Sequence, residues 1–138
     1  MRAFIDTNVL IYWVDDSERA NTVEQLLAGE CVISVQVLNE FANVLRKKRT
    51  MPLADIQSLS NTLIDTCEVY DLSVRTHLTA LALMARYSLS LYDANIVAAA
   101  GLSGCAILYS EDMQDGLNIK CPEAAGSFTL SIRNPFKG

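Results

Sequence analysis

Four acidic side chains stand in sequence surroundings that ask for a chemical explanation. Asp6 follows the apolar pair Phe4-Ile5, Glu40 lies between Leu38 and Phe41, Asp93 sits within Leu91-Tyr-Asp-Ala94, and Asp112 comes shortly after Cys105 to Tyr109. Glu40 is the hardest to dismiss, because a carboxylate seldom enters an apolar stretch without a partner. Gathered carboxylates repel one another and raise one another's pKa unless a cation sits among them. An all-oxygen donor set without His or Cys suits a hard ion, Mg²⁺ or Mn²⁺, rather than zinc. Such an ion lowers the pKa of a bound water and neutralises charge on a phosphodiester and its leaving group. Each acid also has a plain structural reading. Ser90-Leu-Tyr-Asp93 has the composition of a capping box, Asp112 and Asp115 fit a turn ending at Gly116, and Asp6 fits a turn after a strand.

The elements around these acids are readable from periodicity and punctuation. Phe4-Ile5 and the residues before them form a short buried strand that stops at Asp6-Thr7-Asn8. Asp16-Ser17 offers an N-cap to a helix through Leu27, which Gly29 ends. Cys31 to Ser34 is a second strand. Val35, Leu38, Ala42 and Leu45 keep a helical period that runs into Arg46-Lys-Lys-Arg49, where cations suit the negative helix end. Further helices fit Pro52 to Thr66, Val74 to Tyr87 and Leu91 to Leu102, and further strands Glu68 to Tyr70, Cys105 to Tyr109 and Thr129 to Ile132. The Val74 to Tyr87 helix carries apolar residues on nearly every face, so it is either deeply buried or in a subunit contact. Short strands alternating with helices imply an α/β fold, with a parallel central sheet and helices on both faces. One domain over residues 1–138 is expected, without repeats or linkers. In open parallel sheets ligands bind beyond the carboxyl ends of the strands, and Asp6 and Asp112 both follow strands.

Composition narrows the chemistry. A chain of 138 residues buries about 68% of the surface its unfolded form exposes, enough for a core without disulfides or a structural metal. With 51% hydrophobic and 20% charged residues, the chain is expected to fold. The longest purely apolar stretches, Val9 to Val14 and Ala80 to Ala85, are far below the ~20 residues of a membrane span, and the amino-terminal residues lack the pattern of a signal peptide. A cytoplasmic protein is expected. The cysteines, Cys31, Cys67, Cys105 and Cys121, contain no C-x-x-C pair and read as buried thiols. His77 is the only histidine, which removes mechanisms that need two imidazoles. No G-x-S-x-G and no phosphate-binding G-x-x-x-x-G-K-[ST] is present. The net charge of −5 argues against a protein that grips nucleic acid by broad phosphate neutralisation.

Taken in order, the segments Phe4-Ile-Asp-Thr-Asn-Val-Leu-Ile-Tyr12, Ile33-Ser-Val-Gln-Val-Leu-Asn-Glu-Phe41, Leu89-Ser-Leu-Tyr-Asp-Ala-Asn-Ile-Val-Ala-Ala-Ala100 and Leu108-Tyr-Ser-Glu-Asp-Met-Gln-Asp-Gly116 resemble the PIN-domain family, and within it the toxin nucleases of the VapC type. Asn134-Pro-Phe136 fits the end of that domain. The resemblance implies a single PIN-like domain that cleaves RNA with Mg²⁺ or Mn²⁺, with Asp6, Glu40, Asp93 and Asp112 as its acidic quartet. Asp115 falls where some members carry a further acid and is a secondary candidate ligand. Thr7, Asn8 and Ser110 match the polar positions that orient carboxylates or water around the quartet. The resemblance also implies a cognate antitoxin and a homodimer, for whose surface the Val74 to Ala100 region is the candidate. Tyr92 departs from the family, many of whose members have tryptophan there.

Other residues carry weaker signals. Arg46, Lys47, Lys48 and Arg49 lie two turns beyond Glu40 on the same helix and are candidates for RNA phosphates, against the plain reading of a solvated helix end. His77 shares a face with Val74, Leu78 and Leu81, which fits a core or interface histidine. Tyr12 and Trp13 read as core or partner-facing. Two competing functions stay open. A Mg²⁺-dependent phosphatase with an aspartyl nucleophile also begins with strand-Asp, but Asp6-Thr7-Asn8 lacks the second acid two positions on. A non-catalytic PIN-like binding module has no evident need of four acids.

Overall fold

A computed structural model describes residues 1–121 and 127–137. Strand β1 (Ala3–Ile5) leads into a short helix α1 (Thr7–Leu10), a 3-10 turn over Ile11–Val14 and helix α2 (Glu18–Leu27). Strand β2 (Cys31–Ser34), helices α3 (Val35–Lys47) and α4 (Leu53–Thr66) and strand β3 (Glu68–Tyr70) follow. Helices α5 (Val74–Arg86) and α6 (Leu91–Leu102) return the chain to β4 (Ile107–Tyr109), β5 (Asn118–Lys120) and β6 (Thr129–Arg133). These form one six-stranded sheet in the order β3-β2-β1-β4-β6-β5. Neighbours from β3 through β6 run parallel, with Phe4 opposite Val32 on one side and Leu108 on the other. Strand β5 alone is antiparallel, pairing Ile119 with Leu130 at the edge. The fold is therefore the expected α/β sheet, with one antiparallel edge strand that the sequence reading did not contain.

The chain runs outward from β1 to β3 and then crosses back to β4. Right-handed crossovers in these opposite directions send their helices to opposite faces. Both faces are covered, which is why β2 is buried along its whole length. The core gathers Phe4, Ile5, Ile33, Phe41, Leu108 and Ile132, each without solvent exposure, and a side chain such as Phe41 stabilises by roughly 1.5–3 kcal/mol when buried. Helix α3 presents Val37, Phe41 and Leu45 to that core, starts at Ser34, whose hydroxyl accepts from Val37 N, and carries Arg46 and Lys47 in its last turn. Helix α6 is apolar nearly all round and is buried from Ile96 to Gly101.

Helix α5 resolves differently from α6. It buries Thr76, Thr79, Ala80 and Leu83, while Val74, Leu78 and Leu81 are 76%, 58% and 45% exposed. His77 is exposed beside them. All four cysteines are buried, and the register of β2 and β3 brings the sulfurs of Cys31 and Cys67 to 3.1 Å. That contact holds the Cys31 thiol down at about 7 and, with burial, pushes Cys67 up. Among the described residues no helix is long and apolar enough to cross a membrane.

Candidate active site

Helix α1 begins directly after β1 because Asp6 caps it. Its Oδ1 accepts from Thr7 N at 2.8 Å, and its backbone carbonyl accepts from Val9 and Leu10 N. The side chain is buried at the carboxyl end of the strand, and its Oδ2 accepts from the Ser110 hydroxyl at 3.0 Å and from Asn8 Nδ2 at 3.2 Å. Ser110, just beyond β4, in turn accepts from Met113 N. Asn8 Oδ1 accepts from Glu111 N at 2.9 Å. The loops after β1 and β4 are thus sewn together around one carboxylate. Asn8 occupies the position where an aspartyl-nucleophile phosphatase needs its second acid, and its amide is committed to Asp6 and Glu111.

Asp6, Glu40, Asp93 and Asp112 line a single cavity of about 410 Å³, together with Thr7 and Asn8. Four separate segments converge there: the end of β1, the middle of α3, the first turn of α6 and the loop after β4. Glu40 is held by Gln36 one turn earlier, whose Nε2 donates to Oε1 at 2.9 Å and to the Tyr92 carbonyl at 3.4 Å. Asp93 N–H donates to the Ser90 hydroxyl at 3.1 Å, so the serine half of the capping box read from the sequence is present, while the Asp93 carboxylate lines the cavity.

Electrostatics reflect this crowding. Burial pushes Asp6 up from 3.8 to about 6; the hydrogen bonds from Ser110 and Thr7 oppose the rise, and the charges of Glu40 and Asp93 add to it. Asp93 is raised too, by burial and then by Asp112, against the bond from Ser90. The Thr7 hydroxyl, 7% exposed, lines the same cavity and is buried without a hydrogen-bond partner among the described residues. Four carboxylates and an unanswered hydroxyl, with no His or Cys on the same wall, are a donor set that fits a hard divalent cation. Among the described residues no three His, Cys, Asp or Glu side chains form a group that could hold a metal ion by themselves.

The remaining candidates separate. Asp115 does not line the cavity; its Oδ1 accepts from Asn134 N at 2.8 Å. Of the basic run only Lys48 reaches the cavity wall. Arg49 pairs with Asp15, and Arg46 bonds the Met51 carbonyl. Tyr12 lines the cavity and donates its hydroxyl to Glu111, which also pairs with Arg19 at 2.8 Å. The Arg19 guanidinium lies against both the Tyr12 and the Phe136 ring, 4.9 and 4.7 Å from their centroids. Trp13 leans on Phe41 and donates to Glu24. Gln36 and Glu111 are lining residues that the sequence reading missed. The signal for Gln36 was its four-residue spacing from Glu40, which puts both on one helix face.

The chain is similar along 99% of its length to a chain of a toxin-antitoxin complex from Klebsiella pneumoniae, also covered to 99%, at 21% identity and a TM-score of 0.71. VapBC from Salmonella typhimurium, solved bound to DNA, matches at 17% identity and a TM-score of 0.69, with 98% of each chain covered. VapC20 of Mycobacterium tuberculosis, a sarcin-ricin loop cleaving toxin, matches at 21% identity and a TM-score of 0.64 over 80% of this chain and 89% of its own. At these identities the likeness is one of fold. No curated protein matches the sequence. A family model, the PIN domain, matches residues 3–115, a span that starts with β1 and takes in all four cavity acids and the helices that carry them. The chain belongs to the PIN domain family.

Proposed function

We propose that this protein is a Mg²⁺- or Mn²⁺-dependent endoribonuclease, the toxin of a type II toxin-antitoxin pair acting on RNA in the cytoplasm. The observation that carries the reading is the convergence of Asp6, Glu40, Asp93 and Asp112 from four segments on one cavity at the carboxyl edge of the sheet. Membership of the PIN domain family and the toxin-antitoxin setting of the structural neighbours support it. The four carboxylates would hold the cation, directly or through waters. When bound, the cation supplies water of lowered pKa and neutralises charge on the phosphodiester and the leaving oxygen. The chain's own work is positional: Ser110, Asn8 and Thr7 N–H fix Asp6, and Gln36 fixes Glu40. A cognate antitoxin and a second copy of the chain are the expected protein partners, and the exposed apolar row Val74, Leu78 and Leu81 offers a surface for the dimer.

The test is incubation of partner-free protein with a mixed RNA pool, with and without Mg²⁺ or Mn²⁺, followed by mapping of the ends. Cation-dependent internal cleavage leaving 5′-phosphate and 3′-hydroxyl ends is expected. Asp6→Asn and Asp93→Asn should each lower the rate roughly a hundredfold or more. Cyclic 2′,3′-phosphate ends would overturn the mechanism, and RNA binding without any cleavage would make the protein a binding module.

A further inference from the structure

The cavity of the carboxylates adjoins a second one. That cavity, of about 460 Å³, shares Asp93 and Asp112 with the first and continues beyond them to Arg86, Tyr87 and Met113. Each cavity carries one cation: Lys48, just past α3, lines the first, and Arg86, in the last turn of α5, lines the second. Both are exposed, and neither has a carboxylate partner among the described residues, unlike Arg19 and Arg49. The Arg86 guanidinium lies 5.7 Å from the Tyr87 ring centroid. That ring is tethered at its far end, where the hydroxyl accepts from Lys120 N at 2.8 Å. Tyr92, 73% exposed, stands on the wall of the first cavity. Two adjoining cavities, each with an exposed cation and one with an open aromatic face, have the parts that hold a single nucleic-acid strand: charge tracks the backbone, and a ring offers a stacking surface to any base.

We infer that a single RNA strand lies along both cavities, with Lys48 and Arg86 holding phosphates on opposite sides of the bond above Asp93 and Asp112, and with Tyr92 stacking a base. The inference rests on the ribonuclease reading and adds a path to it. The four carboxylates leave the centre without positive charge of the chain's own, so the side-chain grip comes from Lys48 and Arg86, and a substrate must extend on both sides of the cleaved bond. Arg86 and Lys48 are positioning residues on this view and touch no reacting atom.

The test uses the full chain in Mg²⁺ with fluorescently labelled, mixed-sequence single-stranded RNA of about four and about twelve nucleotides, the range of single-strand site sizes. Anisotropy reads binding, and gels of the same samples read cleavage. For the longer RNA, Lys48→Gln and Arg86→Gln are each expected to weaken binding about tenfold and to lower the salt slope by about one. Arg86→Lys should restore most of the loss, because charge is what this residue supplies. The shorter RNA, which fills one cavity, should lose its sensitivity to one of the two substitutions. If Arg86→Gln binds and cleaves the longer RNA like the unsubstituted chain while Lys48→Gln does not, the strand ends at the carboxylates and the inference is overturned. Tight, Arg86-dependent binding with no cleavage in either cation would instead remove the ribonuclease reading and leave the strand path standing.

Discussion

Asp6 holds the site together and also strains it. Its folded-state pKa of about 6 lies above the ordinary 3.8, chiefly because burial disfavours the charge. A raised carboxyl adds stability that is fully present below the unfolded value and is lost as pH rises through the folded one. Without a cation the fold should therefore weaken between about pH 4 and pH 7, and the gap between 3.8 and about 6 corresponds to roughly 3 kcal/mol. In chelator, Asp6→Asn should be more stable than the unsubstituted chain at pH 8 by roughly 1–2 kcal/mol, with the difference closing toward pH 4. The gain falls short of the full amount because the amide replaces one acceptor oxygen where Thr7 N, Asn8 and Ser110 all donate. Urea midpoints of both proteins across pH check this, and a difference independent of pH would show that Asp6 is not a buried charge. Addition of Mg²⁺ or Mn²⁺ at pH 8 should raise the midpoint of the unsubstituted chain and leave that of Asp6→Asn nearly unchanged.

At the scale of elements, α6 shows how closely the site's supports are packed. A methyl group on Gly101 would come within 2.2 Å of the Phe128 ring, so Gly101→Ala must displace that ring from the helix. Overpacking of this kind costs about 1–3 kcal/mol, against a helix-propensity gain of up to about 1. A lowered melting temperature is expected, with RNA cleavage retained in the cold, because Gly101 lies about 12 Å along the helix from Asp93. Loss of cleavage at full thermal stability would contradict it. Helix α3 was legible from its apolar period running into the basic residues and α6 from the serine three residues before Asp93, and with them came the contexts of Glu40 and Asp93. Strand β5 was not legible: Asn118–Lys120 is three residues long with one buried side chain, and it exists because β6 offers it an edge. Helix α1 was hidden for a different reason. Asp6-Thr7-Asn8 has turn composition, and only the docking of Asp6 against Ser110 makes the same residues a cap and a helix start. The place of Glu111 on the cavity wall likewise depends on how the β4 loop docks, which one-dimensional periodicity does not encode, whereas Lys48 keeps the four-residue spacing of Gln36, Glu40 and Val44.

For the whole molecule, the strand order places the site. Connections leave β1 toward β2 on one side, and the sheet continues to β4 on the other, so a crevice opens beyond the carboxyl ends of β1 and β4. The net charge of −5 takes on a local meaning here: four of the sixteen acids line one cavity, and a single divalent cation would bring the total to −3. RNA should accordingly be held by a few cations and not by a broad basic surface. Away from the cavities, the row of Val74, Leu78 and Leu81 is a large apolar exposure for one helix. Leu78→Glu combined with Leu81→Glu should convert a dimer into a monomer in analytical ultracentrifugation, with the melting temperature of the fold little changed. A protein already monomeric at micromolar concentration would remove that surface from consideration.

The parallel run of β1, β4 and β6 also separates the two ends of the described chain. Arg2, paired with Glu68 and bonded to the Ser103 carbonyl, is fastened at the amino edge of the sheet. Phe136 instead packs against Tyr12 on the wall of the cavity. An affinity tag or a surface anchor joined ahead of Met1 therefore departs from the side remote from the carboxylates. One joined at the other end follows Phe136, on the side where that ring meets Tyr12 of the cavity wall, so a flexible acidic or basic tail there would interfere with whatever the cavity binds.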